Sequence, residues 1–431
     1  MRRKIVHVGA KQLTYEIRQI VTVADEISRL GKTIIWENIG DPVEKGAEIE
    51  PWMKEIIMRL TAENSSYRYT ASQGDLKTRR FLSDRLSGQE GADAGADDII
   101  FFNGLGDAVA KIFGFLKREA RILGPSPAYS THSSAEAAHS GYEHLTYKLD
   151  PENAWLPDIE DIRNKVKYND SIAGILLINP DNPTGIVYSR EILQQIVDIA
   201  SEHDLFIIAD ETYCNVVFPD VEFTYIGEVI GDVPAISMKS ISKEYPWPGA
   251  RCGWIEVYNR HKDEEFDDYI LSLINAKRLE VCSTTLPQLS IPEIMGDPRY
   301  PEHLSRQSAV LSSRADQAFE ALRGIAGIRV IKPQAALYFT VLFDDGALNE
   351  NQSLVISEPE IRTYIEGITA GMPLDKRFVY YLLGAEGICV VPLTGFCSDL
   401  KGFRFTLLET DDKKREGVYK AIAARVKEFL S

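Results

Sequence analysis

Cysteine is scarce in this chain of 431 residues: Cys214, Cys252, Cys282, Cys389 and Cys397, an odd number with no C-x-x-C spacing. That scatter excludes a disulfide framework and a zinc knuckle, and it fits a reducing compartment. Histidine is nearly as sparse, seven in all without an H-E-x-x-H or similar pair, so no metal site is expected. No apolar run approaches membrane-spanning length, and the opening MRRKIVHVGAKQLTYEIRQ has basic residues but no apolar stretch of signal-peptide length. Basic residues are outnumbered 48 to 64, and the formal charge of −16 repels both nucleic acid and anionic membranes. The expectation is a cytoplasmic protein that acts on small molecules.

What is present is ordinary globular composition, 44% hydrophobic, in a chain long enough for two or three domains. Apolar positions at Leu13, Ile17, Ile20, Val21, Ala24, Ile27 and Leu30 predict an amphipathic helix from Gln12 to Gly31. TIIWENIGDP follows as a short strand ending in a turn, where Gly40 serves either the turn itself or the close approach of backbone to a ligand. From Asp97 onward, β-rich runs (DDIIFF, ARILGP, HLTYKL, AGILLINP, LFIIAD, PAISMKS, GWIEVY) alternate with helical segments, among them ones near Ser130 to His139 and Ser189 to His203. That rhythm means an α/β domain with a mostly parallel sheet, whose ligands bind beyond the C-terminal ends of the strands. A helical run near Asp263 to Leu279 leads to the hydroxyl-rich turn CSTTLPQ. One long helix from His303 to Ile325 then marks the exit from this domain into a tail with strands at AALYFTVLF and GFRFTLLE.

Polar residues collect where those strands end. DDIIFF runs into Asn103, Gly104, Leu105 and Gly106 before a helix, a phosphate cradle in type. As a dinucleotide fingerprint it fails, because Val109 stands where a third glycine belongs; a plain strand-to-helix turn is the other reading. ARILGP brings Tyr129 to the same rim, AGILLINP brings Asn182, and LFIIAD ends in Asp210 with Tyr213 three residues on. In SMKSISKEYPWPGARCGW, Ser240 and Ser242 precede Lys243, and Arg251 follows eight residues later. An amine, two hydroxyls and a guanidinium this close suit a ligand with both a carbonyl carbon and a phosphate, and pyridoxal phosphate has both. The alternative is a surface lysine with a solvated neighbour. Arg404, inside an apolar strand, needs a partner: an internal carboxylate or a ligand.

NPDNPTG, ADETY, SISKEYPWPGAR and the late Arg404 stand in the order and rough spacing of the class I aminotransferases, the fold-type I pyridoxal phosphate enzymes. The chain resembles that family from NIGDP near residue 40 to its C-terminus, and NIGDP, CSTTLPQ, GICVVPLTGF and FRFTLL look like the alanine aminotransferase branch. The resemblance implies that Lys243 binds the cofactor aldehyde and moves the substrate proton, with Lys239 the nearby rival. It places Asp210 at the ring nitrogen, Tyr213 and Asn182 at the ring hydroxylate, and Tyr129 on the ring face. Phosphate falls to Gly104, Leu105, Gly106, Ser240, Ser242 and Arg251, and the substrate carboxylate to Arg404 beside Gly40 and Asn182. Tyr69, with Ser283 and Thr284, is implied to reach the cofactor of a second subunit, which makes the protein a homodimer with shared sites. Gly106 departs from the Ser or Thr of many relatives, so one phosphate hydrogen bond is missing.

The implied fold is a large domain, residues 51–302, with a mostly parallel seven-stranded sheet. Residues 1–50 and 303–431 from the two chain ends form a smaller α/β domain. The implied reaction moves an amino group from an alanine-like amino acid to a 2-oxo acid such as 2-oxoglutarate. Branched-chain or aromatic donors, and a C–S lyase on the same fold, are the alternatives.

Overall fold

The structure, a computed structural model, describes residues 5–13, 16–86 and 94–431. After a two-residue strand β1 (Ile35–Trp36), each apolar run between residues 99 and 258 becomes a strand. These are β2 (Ile99–Phe102), β3 (Arg121–Ser126), β4 (Leu145–Asp150), β5 (Leu156–Pro157), β6 (Ile172–Ile178), β7 (Phe206–Asp210), β8 (Ala235–Ser240) and β9 (Gly253–Tyr258). They join in one sheet of eight in the order β2-β9-β8-β7-β6-β3-β4-β5, of which β5 is only a two-residue edge. Pairing is parallel from β4 through β3, β6 and β7 to β8; β9 runs against both its neighbours. The expected mostly parallel sheet is therefore present, with eight strands in place of seven, the short edge β5 being the addition.

Both faces of this sheet are covered, which is why its strands read as unbroken apolar runs instead of alternating. Ile100 and Phe102 pack with Val109 and Ile112 of the helix Leu105–Gly114 and with Ile270 of Glu264–Glu280. Ile99 and Phe101, one residue out of phase, join the opposite core with Leu193 and Ile196 of Arg190–Glu202. The chain adds β4 on one side of β3 and then crosses back to lay β6 on the other. Such a reversal opens a crevice at the strands' C-terminal ends. Ser126, Ile178, Asp210 and Ser240 are the residues that end there.

The remaining strands are β10 (Ile328–Val330), β11 (Tyr338–Phe343), β12 (Ile388–Cys389), β13 (Val391–Pro392) and β14 (Gly402–Thr406). An antiparallel sheet, β10-β11-β14-β13, puts Thr340 opposite Arg404, while β1 pairs in parallel with β12. A second core here takes Ile20, Ala24 and Ile27 from the N-terminal helix and Val418 and Ile422 from the C-terminal one. The N-terminal helix spans Glu16–Arg29, inside the expected range. The long helix begins earlier than its apolar spacing indicates, at Tyr300, because Pro301 fits the first helical turn, and it ends at Leu322. Its first residue lies in the core of the large sheet and Leu311, Ala315 and Leu322 lie in the second. CSTTLPQ is not wholly a turn: Thr284 caps a helix, Thr285–Met295, in which Pro287 falls in the first turn and its missing N–H costs nothing.

The segment that links β1 to the large sheet is pinned by a buried ion cluster. Lys45 Nζ donates to Glu37 Oε1 at 2.8 Å and to the Trp36 carbonyl at 3.0 Å, with Glu409 Oε2 at 3.6 Å. The Thr406 hydroxyl donates to the other Glu37 oxygen at 2.7 Å. Burial pushes the Glu37 carboxyl above its usual range although Lys45 and Thr406 pull it down. Lys45→Ala leaves that carboxylate buried and unpaired, at a cost of about 3 kcal/mol. A raised acid favours the folded state below its unfolded pKa near 4.5 and loses that benefit as pH rises through the folded value. Urea unfolding of the variant at pH 7 is expected to show the full deficit, and at pH 4.5 a smaller one.

Candidate active site

The turn after β8 carries the lysine. The Ser240 hydroxyl donates to the Cys252 carbonyl at 3.2 Å, accepts the Ser242 N–H at 3.1 Å and lies 2.7 Å from the Ser242 hydroxyl. Lys243, half-buried, donates from Nζ to the Gly40 carbonyl at 2.6 Å. Its own backbone carbonyl accepts from Gln307 at 3.0 Å, and His303 Nε2 lies 2.7 Å from the carbonyl of Glu244. The helix Tyr300–Leu322 therefore holds this turn in place.

Lys239 is a different kind of residue. It is buried beneath Glu256 at 2.7 Å and Glu211 at 3.1 Å, with the face of Tyr225 4.8 Å away. Burial works against its charge, but Glu256 and Glu211 outweigh it and hold the ammonium protonated well above the ordinary range. An amine locked in that state is no nucleophile, so the two lysines of SMKSISK separate cleanly.

Between β2 and the helix Leu105–Gly114 the chain turns at Gly104, whose φ is +82°. A Cβ there would lie 2.3 Å from Nη2 of Arg251, so the guanidinium occupies the space a side chain would need. Arg251 itself sits at φ +48°, with Nη1 donating to the Pro248 carbonyl at 3.1 Å. First-turn N–H groups have no partner within a helix, so those of Leu105 and Gly106 beside a guanidinium make an anion cradle. A Cβ on Gly106 would meet nothing within 4 Å.

Asp210, ending β7, is buried with Oδ2 2.8 Å from His132 Nε2 and Oδ1 accepting the N–H and hydroxyl of Thr212 at 3.1 and 2.5 Å. Burial pushes this carboxyl up, yet the His132 and Thr212 contacts outweigh it and hold the group below its ordinary value. Tyr129 precedes the helix Ser130–Ser140, and its ring stands edge-on to His132 at 6.5 Å.

On the opposite wall Arg404, 1% exposed, lies between the rings of Tyr338 at 4.1 Å and Phe396 at 4.9 Å. Nη1 donates to Asn182 Oδ1 at 3.1 Å and Nη2 to the Asn38 carbonyl at 2.5 Å. The hydroxyls of Tyr213 and Tyr338 lie 2.9 Å apart. Burial, with Tyr338 alongside, pushes the Tyr213 phenol well up. Gly40 has no room for a side chain: its Cβ would stand 2.1 Å from the Tyr338 oxygen. The closeness at Gly40 is to the Tyr338 phenol.

Lys243 thus meets Gly40, Arg404 meets Asn182, Tyr213 meets Tyr338 beside Gly40 and Arg404, and Asp210 and Tyr129 share His132, while Gly104 lies against Arg251 and Ser240 against Ser242. Tyr69 stands apart. It is 78% exposed on an open cavity of 640 Å³, with Arg68, Asn103, Trp247 and Thr284 around it. Ser283 is buried, its hydroxyl donating to the Phe101 carbonyl of its own chain at 2.9 Å. Three contributors escaped the sequence reading: His132, Tyr338 and the carbonyl of Asn38. The position of His132 one helical turn after Tyr129 is a usable signal. Tyr338 looked like any aromatic in an apolar strand.

Pyridoxal phosphate fits these residues. A primary amine lies in the turn after β8, the buried carboxylate of Asp210 is held ionised, and the cradle, which at Gly104 has no room for a side chain, has a guanidinium at its edge. Residues 34–422 match the family described as aminotransferase class I and II. The chain is 52% identical over 430 residues, the full length of both, to an uncharacterized aminotransferase of Methanocaldococcus jannaschii. It is 28% identical over 400 residues to the glutamate-pyruvate aminotransferase AlaA of Escherichia coli, covering 91% of this chain and 97% of that one. Among solved structures, alanine aminotransferase from Pyrococcus furiosus superposes with a TM-score of 0.84 at 27% identity over 99% of each chain.

The cradle makes opposite demands at its two glycines. Gly104→Ala forces a side chain into a left-handed turn already filled by Arg251, and a strain of 1–3 kcal/mol implies roughly tenfold or greater loss of affinity for pyridoxal phosphate. Gly106→Ser adds a hydroxyl in open space, and one hydrogen bond is worth about a fivefold gain. Fluorescence titration of cofactor-free protein measures both.

Proposed function

The chain belongs to the class I and II aminotransferases, enzymes dependent on pyridoxal phosphate, and from that premise we propose that alanine is its amino donor and 2-oxoglutarate its acceptor. The observation that carries the reading is the Asn38–Gly40 segment. Its first carbonyl holds the Arg404 guanidinium and its last holds the Lys243 amine, so carboxylate binder and proton carrier face one pocket. Relatives named alanine or glutamate-pyruvate aminotransferase support the choice of donor. So does Tyr338, whose phenol pressed against Gly40 narrows the wall and suits a small side chain.

Each residue has a role in this reading. Bound pyridoxal phosphate supplies an aldehyde carbon to receive the amino group and a protonated ring to draw off charge. Arg404 takes the substrate carboxylate as a two-pronged fork, aided by Asn182 and the bare backbone of Gly40. Lys243 Nζ accepts the substrate Cα proton and redelivers it. Asp210, ionised and oriented by His132, keeps the ring nitrogen protonated. Tyr213 and Asn182 donate to the ring oxygen, and Tyr129 covers the ring face. Gly104, Leu105, Gly106, Ser240, Ser242 and Arg251 bind the phosphate.

A homodimer completes the proposal, with Tyr69 and Thr284 on the open 640 Å³ cavity offered to the cofactor phosphate of a second subunit. Residues 51–302 act as the cofactor domain, and residues 1–50 with 303–431 as the smaller one. No helix among the described residues is long and apolar enough to cross a membrane.

Mixing the loaded protein with single amino acids and following the bound cofactor's absorbance ranks the donors. Alanine is expected to convert it to the amino form fastest, and 2-oxoglutarate to restore it. Faster conversion by a branched or aromatic amino acid overturns the choice of donor, and pyruvate with ammonia formed without acceptor indicates elimination. Lys243→Ala is expected to lower kcat by at least about 10³-fold.

A further inference from the structure

Tyr338 touches three residues to which a role is given above: Tyr213, Arg404 and Gly40. Its hydroxyl lies 2.9 Å from that of Tyr213, the two rings standing edge-to-face at 5.8 Å. The Arg404 guanidinium is stacked on its ring at 4.1 Å. Gly40 fixes the phenol from a third side, since even a methyl group there would lie 2.1 Å from the oxygen. We propose that Tyr338 is a positioning residue that couples the carboxylate site at Arg404 to the cofactor's ring oxygen through the hydroxyl of Tyr213.

The argument starts from proton counting and rests on the assignment of Tyr213 to the ring oxygen. Each phenol has one proton to donate and lone pairs to accept with. If Tyr213 spends its proton on the ring oxygen, then across the 2.9 Å gap it accepts, and Tyr338 is the donor. A hydroxyl that accepts a hydrogen bond donates a stronger one, so the Tyr338 proton strengthens the grip of Tyr213 on the cofactor. A cation over the ring face draws electron density from the phenol and sharpens its O–H as a donor. A substrate carboxylate on Arg404 offsets that cation and relaxes the chain. Binding at the guanidinium is thereby felt at the ring oxygen before any proton moves. Tyr338 is in contact with the Tyr213 hydroxyl, and Tyr338, Tyr129 and Arg404 are charged or titratable groups whose fields reach it. A second route runs through Asn182, which accepts from Arg404 directly, so the tyrosine route carries part of the coupling.

The competing view makes Tyr338 a filler of the second core, where it is buried. Tyr338→Phe separates the two, because the ring and its packing stay and only the hydroxyl goes. The readout is the pH midpoint of the bound cofactor's absorbance change in the loaded enzyme, with and without propionate as a carboxylate probe that cannot react. A ring oxygen that loses hydrogen-bond support holds a nearby proton more tightly, so the midpoint is expected to rise by roughly half a unit. The shift caused by propionate is expected to shrink relative to the parent. Tyr213→Phe should raise the midpoint further, with Tyr338→Phe adding nothing in that background.

A Tyr338→Phe enzyme that keeps the parent midpoint while Tyr213→Phe moves it leaves Tyr338 as a filler and overturns the proposal alone. A propionate shift that is absent in the parent, or undiminished in the variant, overturns the coupling. A Tyr213→Phe enzyme with an unchanged midpoint removes Tyr213 from the cofactor and takes the proposal with it. None of these results touches the choice of alanine as donor, which the absorbance ranking tests separately.

Discussion

A guanidinium taken out of water is the constraint around which this molecule is arranged. Arg404 lies deep between two strands of the smaller sheet, and a charge in such a place survives only if its surroundings replace hydration. Two aromatic faces, an amide oxygen and a backbone carbonyl do so here. The carbonyl belongs to Asn38, just beyond β1, and the amide to Asn182, in the loop after β6. One side chain therefore ties the N-terminal segment, the large sheet and the C-terminal sheet together. Each of those elements has a second anchor. Glu37 and Lys45 fix the first, Asp181, bonded to Thr184, fixes the second, and the pairing of Thr340 with Arg404 fixes the third.

The buried acids near the site show how burial and hydrogen bonding compete. Asp181 and Asp210 lie at the ends of neighbouring strands, and both are removed from solvent. Asp210 has an imidazole and a threonine as partners and stays ionised, whereas Asp181, with only Thr184 and backbone around it, is pushed up to about 7. The two lysines four residues apart differ in their partners. Lys239 faces two carboxylates and keeps its proton; Lys243 faces a peptide carbonyl, a weaker partner that a cofactor can displace.

Much of this was legible in the sequence, for a physical reason. Residues at the C-terminal ends of parallel strands have their positions fixed by the sheet, so reading AGILLINP, LFIIAD and PAISMKS as strands was enough to bring Asn182, Asp210 and Lys243 together. What stayed hidden depends on contacts across distant segments. His132 is an unremarkable histidine until the helix Ser130–Ser140 brings it to Asp210 at the end of β7. Tyr338 belongs to the site only because β11 pairs with β14 in the register that puts Thr340 opposite Arg404. The helix after Thr284 was hidden by its two prolines, which discourage a helix reading although one falls in its first turn. Arg404 itself was visible as a charge out of place, but the aromatic rings that enclose it were not.

The helix from Tyr300 to Leu322 carries a mechanical consequence. Its 23 residues root one end in the core of the large sheet and the other in the second core, while Gln307 and His303 grip the backbone of Lys243 and Glu244. A rod clamped so cannot tilt without dragging the turn beside it. Any displacement of one core relative to the other is thus transmitted to the stretch of backbone from which the Lys243 amine projects.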